Sequence, residues 1–120
     1  AFVFAWGVHN VSIEGRGTID GQGAPYWACA SEWARFPCSG HARPHLLMIS
    51  NASDIRMEGV TVKNSPEWTL HFASVDRLHV DGVTVINPAN APNADGIDLD
   101  CVRGAVVENS RFDVGDDALC

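Results

Sequence analysis

Four stretches decide the fold: Asn10-Val-Ser-Ile-Glu-Gly15, Asp54-Ile-Arg-Met-Glu-Gly59, Arg77-Leu-His-Val-Asp-Gly82 and Gly104-Ala-Val-Val-Glu-Asn109. Each alternates polar and apolar residues, reaches an acid and ends on a turn residue. Alternation of period two marks a half-buried strand. A Gly or Asn after it tolerates the left-handed backbone of a tight turn. The last three stretches resume as Val60-Thr-Val62, Val83-Thr-Val85 and Ser110-Arg-Phe112, and the first as Arg16-Gly-Thr-Ile19, with one extra residue.

The unit recurs. Ile55 to Leu78 is 23 residues, Leu78 to Ala105 is 27, and Val11 to Ile55 is 44, about two periods. A period in the twenties built on strands is either a leucine-rich repeat or a parallel β-helix. No Leu-x-x-Leu-x-Leu frame recurs, and helix signals are weak among so many Val, Thr, Ile, Gly and Asn residues. One coil cannot bury its apolar face alone, whereas stacked coils bury a continuous column. The sequence therefore predicts an all-β, partial parallel β-helix of about four to five coils. Residues 1–120 form one domain read as the central fragment of a longer solenoid, with residues 24–44 as a loop insertion between coils. Asn64 and Asn87 fall 23 residues apart at equivalent turns. They are either a hydrogen-bonded asparagine stack or ordinary turn residues.

Composition narrows the function. Eight Lys and Arg against fifteen Asp and Glu give a formal charge of −7, which argues against a nucleic-acid binder. No apolar run is long enough for a transmembrane helix, and no membrane partner is expected. Cys29 and Cys38 enclose eight residues, so they either close a local disulfide or stay free. Cys101 and Cys120 lack the spacing of a zinc site and read as small buried hydrophobes. No metal or cofactor is called for.

Chemistry concentrates near the end, in Asn93-Ala-Asp-Gly-Ile-Asp-Leu-Asp100 and Gly115-Asp-Asp-Ala-Leu-Cys120. Asp95 to Asp116 is 21 residues, close to one coil, so Asp95 should lie beside Asp116 and Asp117. Like charges about 5 Å apart repel by roughly 3 kcal/mol at an effective dielectric near 20, so one carboxyl should hold its proton near neutral pH. A protonated acid beside a carboxylate is what glycoside hydrolysis uses. A Ca²⁺ site and plain Asp-Gly turns fit the same spacing. Asp98 and Asp100 alternate with Ile97 and Leu99, so Asp98 either lies on a solvated strand face or borders the carboxylate surface. By parity Asp95 belongs with the inward set, and reaching that surface would need a bulge at Gly96. Trp68 and His71 read as packing, with stacking against a sugar ring as the alternative. His9, His41, His45 and His79 read as surface or turn residues without clear partners, and Trp27, Trp33 and Phe36 as either a cleft wall or loop packing.

Taken in order, Arg43-Pro44, Asn64-Ser-Pro-Glu-Trp-Thr-Leu-His71, Asn93-Ala-Asp-Gly96 and Gly115-Asp-Asp117 resemble glycoside hydrolase family 28, the polygalacturonases. Gly17-Thr-Ile-Asp-Gly-Gln-Gly23 resembles the family's early coil. The resemblance implies a right-handed parallel β-helix (a pectin-lyase-like solenoid) that hydrolyses α-linked galacturonan with inversion. It implies Asp116 as general acid, Asp95 and Asp117 as the pair that activates water, and Asn93 as the start of the same motif. Asn93 and Asp98 are the candidate substrate-binding residues. The family usually has Thr where this chain has Ala94, and many members have Cys at Ala118. Its Gly-His-Gly and Arg-x-Lys motifs do not occur in these 120 residues, so the chain alone is expected to be inactive. A monomer, secreted or periplasmic, acting on pectic polysaccharide or oligogalacturonide is expected. A Ca²⁺-dependent pectate-lyase-like β-helix and a non-catalytic carbohydrate-binding β-helix are the alternatives.

Overall fold

The computed structural model describes residues 1–28, 30 and 43–120. Among these, ten strands and one helical turn follow in the order β1 (Val3–Trp6), β2 (His9–Glu14), β3 (Thr18–Asp20), α1 (Ala24–Trp27), β4 (Leu47–Glu58), β5 (Thr61–Lys63), β6 (Leu70–Asp81), β7 (Thr84–Ile86), β8 (Ile97–Asp100), β9 (Arg103–Glu108) and β10 (Arg111–Asp113). All pairings are parallel. One sheet runs β1-β4-β6-β8, with β2 on β4 and β9 on β6, and the other runs β10-β7-β5-β3. The chain thus winds through four coils of a parallel β-helix. α1 lies in the segment read as an insertion. Cys29, Cys38, Trp33, Phe36 and His41 lie outside the described residues.

The register matches the repeat. Val11 pairs with Ile55, Ile55 with Leu78 and Leu78 with Ala105. Ile19, Val62, Val85 and Phe112 form a second column, and Leu47, Leu70 and Ile97 a third. Leu47, Val62, Leu70, Phe72, Val80, Val85 and Ile97 are fully buried. Each such side chain contributes about 1.5–3 kcal/mol relative to an exposed position. The buried apolar residues lie between Leu46 and Ile97, where coils cover both sides, so the core runs along the axis, while the outer coils leave Trp6 and Val106 exposed.

The turn after each acid works as the repeat implies. Gly15, Gly59, Gly82 and Asn109 take φ of 125°, 73°, 62° and 50°. A second corner escaped the sequence reading. Asn51 and Asp54 in β4, and Ser74 and Arg77 in β6, take φ of 50–63°. These paired left-handed residues bend one twelve-residue strand into two faces of the coil. Arg77 is an uncommon occupant of that region. It is held there by Asp54 on the coil below, with both carboxylate oxygens 2.7 Å from its guanidinium.

Asn64 and Asn87 do occupy equivalent places, following the paired Lys63 and Ile86. They do not bond to each other. Asn64 donates to Asp20, while Asn87 is buried and spends its amide on three partners described below.

Candidate functional site

The site grows from the turns that enter the first sheet. Three successive coils pass through residues 64–69, 87–96 and 114–118. Asn87 ties the first two together: its Oδ1 accepts from the Ser65 N–H (2.9 Å), and its Nδ2 donates to Thr69 Oγ1 (2.7 Å) and to the Ala94 carbonyl (2.9 Å). The ladder continues across them, with Thr69 N–H donating to the Asp95 carbonyl and Gly96 N–H to the Asp117 carbonyl. Gly96 has no room for a side chain, because a Cβ there would collide with the Ala118 carbonyl and sit 2.7 Å from Phe112. Glycine at this position lets the Asp95 turn lie flat on the Asp117 turn.

Asp95, Asp116 and Asp117 consequently offer carboxylate oxygens that all lie within 4.8 Å of one another. Asp95 is 6 % exposed, while Asp116 and Asp117 are exposed. Burial, and then the Asp116 charge, raises the Asp95 pKa. β8 begins only at Ile97, so Asp95 stands in the turn, outside the strand's alternation, and no bulge is needed. Asp116 Oδ2 accepts from the Asn93 backbone N–H at 3.2 Å, and its Oδ1 from the Asp117 N–H at 3.1 Å.

Asp98 departs from the solvated-face reading. It is 5 % exposed, whereas Asp100, two residues on, is exposed. Asp98 stacks in register on His71 and lies close to Asp95 and Cys120. Burial first, and the Asp95, Asp117 and Asp116 charges next, push its pKa up to about 7. Burial, which spacing cannot reveal, therefore raises the pKa of both buried carboxyls, Asp95 and Asp98. Asp98 Oδ2 and Asp95 Oδ1 have no hydrogen-bond partner, and buried acceptors without partners are rare. Both are free to meet a ligand hydroxyl or water.

Two further groups escaped the sequence reading. His45, Trp68 and His71 form an aromatic trio, with ring centroids 4.9–5.0 Å apart. His71 Nδ1 lies 3.0 Å from His45 Nδ1, and His45 Nε2 lies 3.4 Å from Glu67. Burial is the main cause that lowers the pKa of both histidines, to about 4 for His45, so both are neutral at pH 7 and one donates to the other. His71 Nε2 is buried without a partner. Arg43 is the second group: Nη1 donates to the Pro66 and Pro92 carbonyls (3.1 and 2.6 Å), and Nη2 to Asn93 Oδ1 (2.6 Å). The only advance signal was the placing of Arg43 and His71 in the ordered motif string.

Other expectations fare unevenly. His9 and His79 have partners after all, Ser53 and Glu108. Trp27 packs its loop down, donating Nε1–H to the Ser65 carbonyl. Cys101 and Cys120 are exposed rather than buried. The Cys120 thiol donates to Asp117 Oδ2, and that carboxylate pushes its pKa up to about 11. Among the described residues no helix is long and apolar enough to cross a membrane.

Comparison with known proteins agrees with this architecture. Residues 1–120 match the family described as Glycosyl hydrolases family 28. The chain is 36 % identical over 120 residues to a probable exopolygalacturonase B of Emericella nidulans, covering 95 % of this chain and 27 % of that protein. It is 31 % identical to a probable polygalacturonase of Arabidopsis thaliana, covering 98 % and 26 %. The chain thus spans about a quarter of the length of these relatives. A solved polygalacturonase from Erwinia carotovora superposes with a TM-score of 0.89 at 27 % identity, covering 99 % of this chain and 34 % of that one. An exopolygalacturonase from Thermotoga maritima gives 0.86 at 25 % identity, covering 98 % and 33 %. A match along its whole length, joined to this fold, makes the chain a member of glycosyl hydrolase family 28.

Proposed function

We propose that the protein carrying this chain is a pectin-degrading, polygalacturonase-like glycoside hydrolase that cleaves α-linked galacturonic acid. The observation that supports this most is the gathering of Asp95, Asp116 and Asp117 oxygens within 4.8 Å on two stacked turns. Asp116 is the general acid and gives its proton to the glycosidic oxygen as the C1–O bond breaks. Asp95 and Asp117 hold a water and take its proton as the new C1–O bond forms. Asn93 and Asp98 bind the sugar, Asp98 as a carboxyl that still carries a proton near pH 7. Separations near 5 Å ordinarily accompany retention of configuration, and 6.5–9.5 Å inversion. Inversion is nonetheless the reading here, because a water held by two carboxylates beside the acid need not lie on the line joining acid and base. NMR of the first-formed anomer checks it.

The polyanionic substrate needs cations, and Arg43 is already committed to two carbonyls and Asn93. This is in keeping with the expectation that the isolated chain, which has neither a Gly-His-Gly nor an Arg-x-Lys motif, does not turn over. Secretion or periplasmic export fits that polymeric substrate, and action as a monomer is part of the same proposal.

The test is Asp116→Asn in the natural protein that carries this sequence. Turnover of polygalacturonate should fall about 10²–10⁴-fold, the usual contribution of a general acid, with oligogalacturonide binding retained. Full activity in the variant would exclude this role. Products with a new ultraviolet-absorbing double bond, lost on adding a chelator, would show a Ca²⁺-dependent lyase instead. Binding without any cleavage by the natural protein would show a carbohydrate-binding solenoid.

A further inference from the structure

We propose that Arg43 is a positioning residue that sets Asn93 and, through it, the Asp116 carboxylate. The inference rests on the functional reading above for its kinetic consequences, and on geometry alone for its structural ones. The Arg43 side chain is only 12 % exposed. Its fork joins the turns of two successive coils, through Pro66 O at 3.1 Å and through Pro92 O and Asn93 Oδ1 at 2.6 Å each. Its ion pair with Glu67 is longer, at 3.7 Å. The guanidinium is thus held by shape, as a set of directed donors, more than by charge.

That arrangement decides two things about Asn93. A guanidinium can only donate, so the amide oxygen of Asn93 must face Arg43. Its Nδ2 hydrogens are then turned away from the fork, and Asn93 is exposed, so they are available to a ligand. Asn93 also sits at φ 51°, a left-handed conformation that asparagine tolerates. In that conformation its backbone N–H reaches Asp116 Oδ2 at 3.2 Å. Arg43 therefore acts on a carboxylate it does not touch, by holding the residue that does.

Lysine keeps the charge but cannot make these directed bonds together, so Arg43→Lys is the informative variant. In the natural protein that carries this sequence, kcat on polygalacturonate should fall about 10- to 100-fold, the scale of a misplacement near 1 Å, with a smaller change in KM. Unchanged kcat in Arg43→Lys would overturn the proposal. If the natural protein cleaves no polygalacturonate, the functional reading fails, and hydrogen exchange decides the positioning role separately. Faster exchange of the Asn93 amide in Arg43→Lys, with β4 and β6 amides unchanged, supports it. Unchanged Asn93 exchange refutes it.

Discussion

Replacing Asp98 by asparagine should flatten the dependence of stability on pH between about pH 4 and 7. In the folded protein burial, helped by the charges of Asp95, Asp117 and Asp116, raises the Asp98 pKa from 3.8 to about 7. In the unfolded chain the carboxyl ionises near its ordinary value. Below pH 3.8 both states hold the proton and Asp98 imposes no penalty. As pH rises, the unfolded state loses its proton first, and stability falls until the folded carboxyl also ionises near pH 7. At about 1.4 kcal/mol per pKa unit, the ceiling on this loss is about 4 kcal/mol. Asp116 and Asp117 open one side of the cluster to water, and screening there reduces the figure to about 2 kcal/mol. Asparagine cannot ionise and escapes the penalty. Urea unfolding of the natural protein and of Asp98→Asn, followed by tryptophan fluorescence at intervals from pH 4 to 8, measures it. The variant should gain about 2 kcal/mol on the wild type across that range, whatever the offset at pH 4. A difference that stays constant from pH 4 to 8 would refute the burial argument.

Three other substitutions test how the site and its turns are held. Gly96→Ala should cost about 1–3 kcal/mol, as overpacking does, and lower turnover as well, because the added methyl drives the Asp95 turn off the Ala118 carbonyl; wild-type unfolding and wild-type sugar release together would contradict that. Asn87→Ala should cost about 2–4 kcal/mol, since it leaves buried partners at Ser65, Thr69 and Ala94 unpaired. Asn64→Ala, at the equivalent but more open position, loses one exposed bond to Asp20 and puts alanine at φ 53°, so it should cost about 1 kcal/mol; equal losses at the two positions, measured by urea unfolding, would show that burial does not separate them.

Much of the site was legible because a solenoid turns sequence distance into spatial distance. A separation of one coil length is a contact, so Asp95 could be set beside Asp116 and Asp117 by counting. The exposure of each group could not be counted. Asp98 and Asp100 look alike in an alternating strand, yet Asp98 is 5 % exposed and Asp100 open, because the Asp95 turn and Cys120 close over the first alone. Cys101 and Cys120 misled in the opposite direction, small enough to bury but left on the outside. The histidine partners were invisible for a related reason: in register His71 stacks on Met48, and His45 reaches it from three residues earlier.

By itself, then, the sequence determined the coil. Its period, its apolar columns and its left-handed turn residues are each a local constraint, and in a parallel stack local constraints repeat into a global fold. The tertiary structure alone decided which acid keeps a proton, which glycine cannot bear a methyl group and which arginine braces the turn before Asp95. Those properties depend on what lies within a few ångströms across coils, where burial and hydrogen-bond direction are set by side chains from three turns at once.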